Sequence, residues 1–452
     1  DLALFHHLQV ITLCLSKMKK TILSCFQQRA SKHCSRNKYR VRRKLQIQNT
    51  IIDKKKIMKN YIFSLTLLIT IISCGTKNKN TEGVTNIETS ADTHQFKIEQ
   101  IVNEQAEKIL QDTLINALSI GVYQEGNMYT FHFGELTKGK MDKPNDRTLY
   151  EIASVTKTFT GTLAAKAVLE DRIQLDDDID TFLPKSYENL KYQDTPIKVK
   201  HLLTHTSEIP GGFLGMPEIN RDLTEIEFND IVTNYENSRT KDLFLRDLSK
   251  LALNALPGTR FNYSNAGTNL MGFILERVYA KSFQELIEEE ILGKAGMNDT
   301  YFHVPESEEY RLANGYLLGE PRPATKLAET LWGAEGALKS TLLDMLNYIQ
   351  FQFDNGKMVE ESHRKLYEID KEYWIGYFWW VISNQNHDLH FRHDGGISRA
   401  KNVLVIYPES KIGISVFTNQ SSATINNSLS KLTYDIYDNL KKLNKTGNSF
   451  NE

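Results

Sequence analysis

The chain has 452 residues, 40% hydrophobic residues and a formal net charge of −1. That length allows two or three domains, or one large single-core enzyme. The charge is unevenly spread: residues 1–57 hold fourteen Lys and Arg against two acids, while from Cys74 onward 40 Lys and Arg face 54 acids. A domain that acidic does not collect on phosphate backbones, which argues against a nucleic-acid partner. The four cysteines are Cys14, Cys25, Cys34 and Cys74, so the sequence beyond Cys74 has no disulfide, no thiol nucleophile and no Cys-based zinc site.

In chain order, residues 1–57 show no helical or strand period and do not begin with Met. They read as disordered upstream sequence translated from a wrong start, the alternative being a basic arm for nucleic acid or membrane. Met58 opens a secretory pattern. Lys59 precedes an apolar run, Tyr61–Ile72, and then Ser73-Cys74-Gly75. The run is shorter than the about 20 residues that a spanning helix needs. Residues 58–74 thus read as a lipoprotein signal peptide, with the Cys74 thiol receiving lipid. Residues 75–94 are polar and read as a flexible tether. The folded domain is expected over 95–445, with a core large enough to stand without disulfides.

Ile98, Ile101, Val102, Ala106 and Ile109 have helical spacing. Alternation over 119–124 and 128–133, around Glu125-Gly126-Asn127, predicts a hairpin. Residues 158–360 read mostly as helix. Strands return at Tyr377–Ser383, Leu389–Arg392, Asn402–Tyr407 and Ile412–Asn419, and a helix carrying Ile425, Leu429, Leu432 and Ile436 closes the chain. Strands at both ends around a helical insert predict one antiparallel sheet built from both termini.

Three motifs carry chemistry. Ser154-Val155-Thr156-Lys157 opens a small-and-apolar helix, where residues three apart share a face and the lysine amine reaches the serine hydroxyl. Six other Ser-x-x-Lys strings occur, but only Ser154 begins such a helix and precedes two more polar motifs. Tyr263-Ser264-Asn265 follows the Pro257-Gly258 turn and feeds an apolar helix. His393-Asp394-Gly395-Gly396 ends a strand pattern shortly before another begins.

In this order and with these flanks, the chain resembles the serine β-lactamase and penicillin-recognising hydrolase family over roughly 100–445. It is most similar to the branch of class C β-lactamases, DD-peptidases and esterases. The resemblance implies an α/β (α+β), β-lactamase/transpeptidase-like fold: a sheet flanked by helices, with a mostly helical subdomain. It implies acyl transfer without a cofactor on a small-molecule or peptide substrate, with Ser154 as nucleophile and Lys157 or Tyr263 taking its proton. Asn265 would hold Lys157 or bind the substrate amide. The backbone N–H groups of Ser154 and Gly396 would form the oxyanion hole, and His393, Asp394 and Gly395 would orient the substrate.

Two departures bear on this expectation. His393 and Asp394 stand where classical β-lactamases have Lys and Thr or Ser. A carboxylate at 394 is expected to repel a substrate carboxylate, which favours an ester, amide or peptide amine over a β-lactam or a C-terminal D-Ala-D-Ala. Glu208 stands where the family has Gly, which puts a left-handed backbone there in doubt. The competing readings are a true β-lactamase or DD-carboxypeptidase, and a non-turnover sensor of the cell envelope. The expected location is the bacterial cell envelope, held through the lipid on Cys74.

Weaker signals read as structural. His201 and His205 stand four apart without a third ligand, so they anchor a loop rather than a metal. Asp176 to Asp180 lacks the glycine and glutamate of a calcium loop. The Tyr373-Trp374 and Tyr377-Phe378-Trp379-Trp380 cluster is expected mainly in the core. Gly396-Ile-Ser398-Arg-Ala400 fails as a nucleophile elbow.

Overall fold

The computed structural model describes residues 90–211, 214–216, 222–325, 333–354, 356–385 and 387–448. Residues 1–89, and with them the expected upstream stretch, the signal peptide with Cys74 and most of the tether, lie outside the described residues.

Eight antiparallel strands form the main sheet. They are β1 (Ala117–Gln124), β2 (Asn127–Gly134), β3 (Tyr367–Glu368), β4 (Tyr373–Gly376), β5 (Trp379–Ile382), β6 (His390–Ile397), β7 (Ala400–Tyr407) and β8 (Ile412–Thr418). The order is β2-β1-β8-β7-β6-β5-β4-β3, so strands from both chain ends meet at the β1–β8 pair. The sequence period explains the layering. Every second residue of the central strands (Leu118, Ile120, Val122; Val403, Val405; Ile414, Val416) meets the apolar stripes of α1 (Ser90–Ile109) and the closing helix α5 (Ile425–Asn448). The intervening residues Leu404, Ile406 and Phe417 join the larger core with α2 (Thr156–Leu169), α3 (Asn265–Tyr279) and α4 (Leu342–Asp354). Helix α2 is buried nearly all round, as its small and apolar run requires.

The strand expected over 377–383 begins two residues late. Tyr377 and Phe378 instead form a two-residue turn between β4 and β5, with φ of 50° and 70°. No Gly or Asn advertises it. The two rings are fully buried, and Phe378 N–H donates to Leu203 O at 2.8 Å, which offsets the left-handed strain. This turn seats α2, because a Cβ on Gly161 would stand 1.9 Å from Tyr377 O. Gly161→Ala is therefore expected to lower stability by about 1–3 kcal/mol, read from the denaturant midpoint.

Candidate functional site

The nucleophile candidate sits on a strained entry to α2. Ala153 has φ of 46°, and Ser154 lies in a single 3₁₀ turn, Ala153–Val155, just before the helix. Lys157 follows on the first turn of α2, where its fully buried Nζ donates to Ser154 Oγ at 3.0 Å. The same amine donates to Glu335 O at 2.7 Å and to Glu335 Oε2 at 2.9 Å. Three acceptors thus use the three ammonium protons. Burial pushes the Lys157 pKa down, but the Glu335 carboxylate, together with Tyr263, outweighs it and holds the amine above its usual range. Lys157 is an ammonium here.

Tyr263 stands on the loop before α3, its ring centre 5.2 Å from Lys157 Nζ. Ser264 caps α3 through Gly267 N–H at 2.9 Å, and its own N–H donates to His205 Nδ1 at 3.1 Å. The His205 ring stacks obliquely on Tyr263 at 4.4 Å between centres. Burial and the Lys157 charge hold His205 well below the usual histidine range. With Nδ1 accepting, the neutral ring carries its proton on Nε2. His201, by contrast, caps its own short helix, its Nδ1 accepting from Lys198 N–H at 3.0 Å. Among the described residues no group of His, Cys, Asp and Glu has the arrangement of a metal site.

On β6, His393 is buried and donates from Nδ1 to Asp394 O at 2.9 Å, so its Nε2 is an acceptor, buried and without a partner. Burial, then the Lys157 charge, lowers its pKa to about 4. Asn265 Oδ1 is likewise buried and unpartnered, and makes no hydrogen bond to Lys157, whose protons are already taken. Gly395 has a packing reason to be glycine, since a Cβ would stand 2.3 Å from Ile152 O on the approach to Ser154. Gly396 is exposed, with Lys401 Nζ 2.6 Å from where its Cβ would be. β5 pairs with β6 only at His390, Phe391 and Arg392, so beyond Arg392 that edge of β6 has no strand partner among the described residues.

Beside this edge lies a cleft of about 480 Å³ that reaches Tyr263, Tyr373, Trp380, Arg392, His393 and Asp394. The aromatic cluster therefore divides, with Tyr377, Phe378 and Trp379 in the core and Tyr373 and Trp380 on the cleft wall. Asp394 differs from its expected role. Arg392 grips both its oxygens, at 2.8 and 2.9 Å, and also bonds Tyr434 Oη at 3.0 Å and Ser430 Oγ on α5. A paired carboxylate repels a substrate anion far less than a bare one. Glu208 also corrects the sequence reading. It keeps the left-handed backbone, with φ of 63°, and Arg260 binds its buried carboxylate at 2.5 to 3.0 Å. The acids of the 176–180 loop serve its own backbone and nearby lysines, as with Asp176 bound to Lys198 and Lys200 at 2.8 Å.

Several histidines stay neutral by burial: His201, His390 and His393 at about 4, and His363 at about 3. Unfolding raises each to about 6.5, so the unfolded chain binds more protons. The stability they supply is complete above pH 6.5 and is lost as pH falls towards 4. Asp344, raised to about 6, and Glu236, raised to about 8, act with the opposite sign. The four histidines, with His205 held low in the same way, against the two acids predict a denaturant midpoint that drops steeply between pH 6.5 and 4.5; a flat profile there contradicts the histidine assignment.

This site and this sheet are those of a serine hydrolase fold, and the chain belongs to the β-lactamase family, whose family model matches residues 102–430. Protein flp of Staphylococcus aureus strain N315 is 30% identical over 335 residues, covering 71% of this chain and 63% of that protein. The chain thus spans somewhat under two thirds of these curated relatives. A β-lactamase of Providencia stuartii is 26% identical over 303 residues, covering 64% of this chain and 71% of the relative. In fold, the chain is similar to the β-lactamase/D-alanine carboxypeptidase of Yersinia pestis complexed with citrate, with a TM-score of 0.64 and 21% identity over 77% of this chain and 100% of the other. It is equally similar to a class C β-lactamase, with a TM-score of 0.64 and 20% identity over 79% of this chain and 98% of the other.

Glu335 and His205 escaped the sequence reading. Glu335 lies 178 positions from Lys157 in a Gly-Ala-Glu-Gly stretch with no periodic signal. His205 reads in the sequence as a loop anchor, which its bond from Ser264 N–H agrees with, but its place against Tyr263 and Lys157 has no sequence signal.

Proposed function

We propose that the chain is an exported serine hydrolase, anchored to the cell envelope through lipid on Cys74, that forms an acyl-enzyme at Ser154 on an ester, amide or peptide. The observation that carries this reading is the hydrogen bond of 3.0 Å from a buried Lys157 ammonium to Ser154 Oγ. Ser154 Oγ attacks the carbonyl carbon, its proton passes to the Lys157–Tyr263 pair and on to the leaving group, and water then releases the acyl group. The N–H groups of Ser154 and Gly396 hold the oxyanion. The unpaired edge of β6 supplies backbone for an extended substrate, and the buried, unpartnered Asn265 Oδ1 accepts from a substrate N–H.

A second reading, a true β-lactamase or DD-carboxypeptidase, gains from one observation. With Asp394 neutralised by Arg392 and with Lys401 beside Gly396, a substrate carboxylate meets no bare anion on this strand. A non-turnover sensor would share the acylation step alone. A chromogenic cephalosporin, short-chain nitrophenyl esters and D-Ala peptides separate the three. Turnover of esters or amides without cephalosporin supports the leading reading. Fast cephalosporin or D-Ala release supports the second, and a single burst of acylation with no turnover supports the sensor.

A further inference from the structure

Lys157 is enclosed. Five titratable groups surround it: Tyr263 from the loop before α3, His205 from the loop after Leu203, His393 on β6, Glu335, and, through its field, Glu236 from the helix Glu225–Ser238. Both histidines are neutral, and burial, then Glu335, raises Glu236 to about 8. Glu335 is the carboxylate in contact, through both its backbone oxygen and its side chain. Its segment is stitched to the entry of α2. Thr160 Oγ1 donates to Ala334 O at 2.6 Å, Ile152 N–H to Leu338 O at 3.0 Å, and Leu338 N–H to Thr156 Oγ1 at 3.4 Å. The carboxylate is therefore fixed against the amine by the same backbone that shapes the serine turn.

A fully buried lysine with no counter-charge sheds its proton and becomes a base. One that is clamped by a fixed carboxylate keeps it. We propose that Glu335 is a positioning residue for acylation: it keeps Lys157 an ammonium that donates to Ser154 Oγ, so the serine proton leaves to a different acceptor. This rests on the acyl-enzyme reading above and narrows it. As the Oγ–C bond forms, the Oγ proton passes to the Tyr263 oxygen, whose own proton goes to the leaving group as that bond breaks. Lys157 keeps its three protons throughout.

The test uses the full chain with ¹⁵N-labelled lysine and the isosteric variant Glu335→Gln. The Lys157 ammonium resonance, assigned by its loss in Lys157→Met, is expected to persist to higher pH in the parent and to vanish at least about one pH unit earlier in the variant. The rate of labelling by a fluorophosphonate is expected to fall about 30-fold in Glu335→Gln, with the alkaline limb of its pH profile moved down, and to recover in Glu335→Asp. A merely structural role would scale the rate without moving that limb. The proposal is overturned if the parent shows no Lys157 ammonium at pH 7, or if Glu335→Gln labels as fast as the parent with an unmoved limb. A parent chain that takes no label removes the acyl-enzyme reading instead, and the resonance still decides the role of Glu335.

Discussion

Ser154→Ala is expected to abolish fluorophosphonate labelling and to lower turnover of any substrate by about 10⁴-fold or more, with the denaturant midpoint nearly unchanged. The asymmetry follows from position. Ser154 is only partly buried, on a turn whose strain is stored in the Ala153 backbone rather than in the serine side chain. Removing Oγ deletes one acceptor of Lys157, while the two Glu335 oxygens remain. The ammonium stays paired, so the fold stands. Progress curves with the substrate found active, beside denaturation of the same samples, check both halves. Retention of ordinary turnover would place the nucleophile elsewhere.

The second large effect concerns the ion pair. Glu335→Leu leaves the buried Lys157 without its counter-charge, and Lys157→Met leaves the buried Glu335 side chain without its partner. Each single change is expected to cost about 3–5 kcal/mol, because the remaining group is either an unpaired charge where water is excluded or must be neutralised there. The double variant Lys157→Met/Glu335→Leu removes both charges, and its loss is expected to be smaller than either single loss. A double-mutant cycle of denaturant midpoints measures the coupling. Additive losses would mean that the two side chains do not act on each other in the folded chain.

The Ser154–Lys157 contact was legible because the helix period alone puts residues 154 and 157 on one face. The sheet was legible from alternation at the two ends of the chain, and its order agrees with that expectation. What period cannot show is which distant stretches meet. Glu335 reaches Lys157 from a short helix with no pattern of its own, so nothing local marked it. The run Tyr377–Ser383 reads as strand, but burial of both rings and the Phe378 N–H bond to Leu203 O sustain a left-handed turn at its first two residues, which no local pattern marks. At Glu208 the expectation that a missing glycine means a changed backbone failed, because Arg260 stabilises the same conformation from 52 positions away. The charge at Asp394 was misjudged for a similar reason. Its partner Arg392 lies two residues back on the same strand face, a spacing visible in the sequence but silent on whether the two side chains join.

The proposed acyl transfer requires Ser154 to be activated beside Lys157 and Tyr263. Intact-mass and peptide mapping of the chain after exposure to a fluorophosphonate tests that most directly. One adduct per chain, on the peptide that contains Ser154, is the predicted result. An adduct confined to another residue, or none at any pH between 6 and 9, would contradict it.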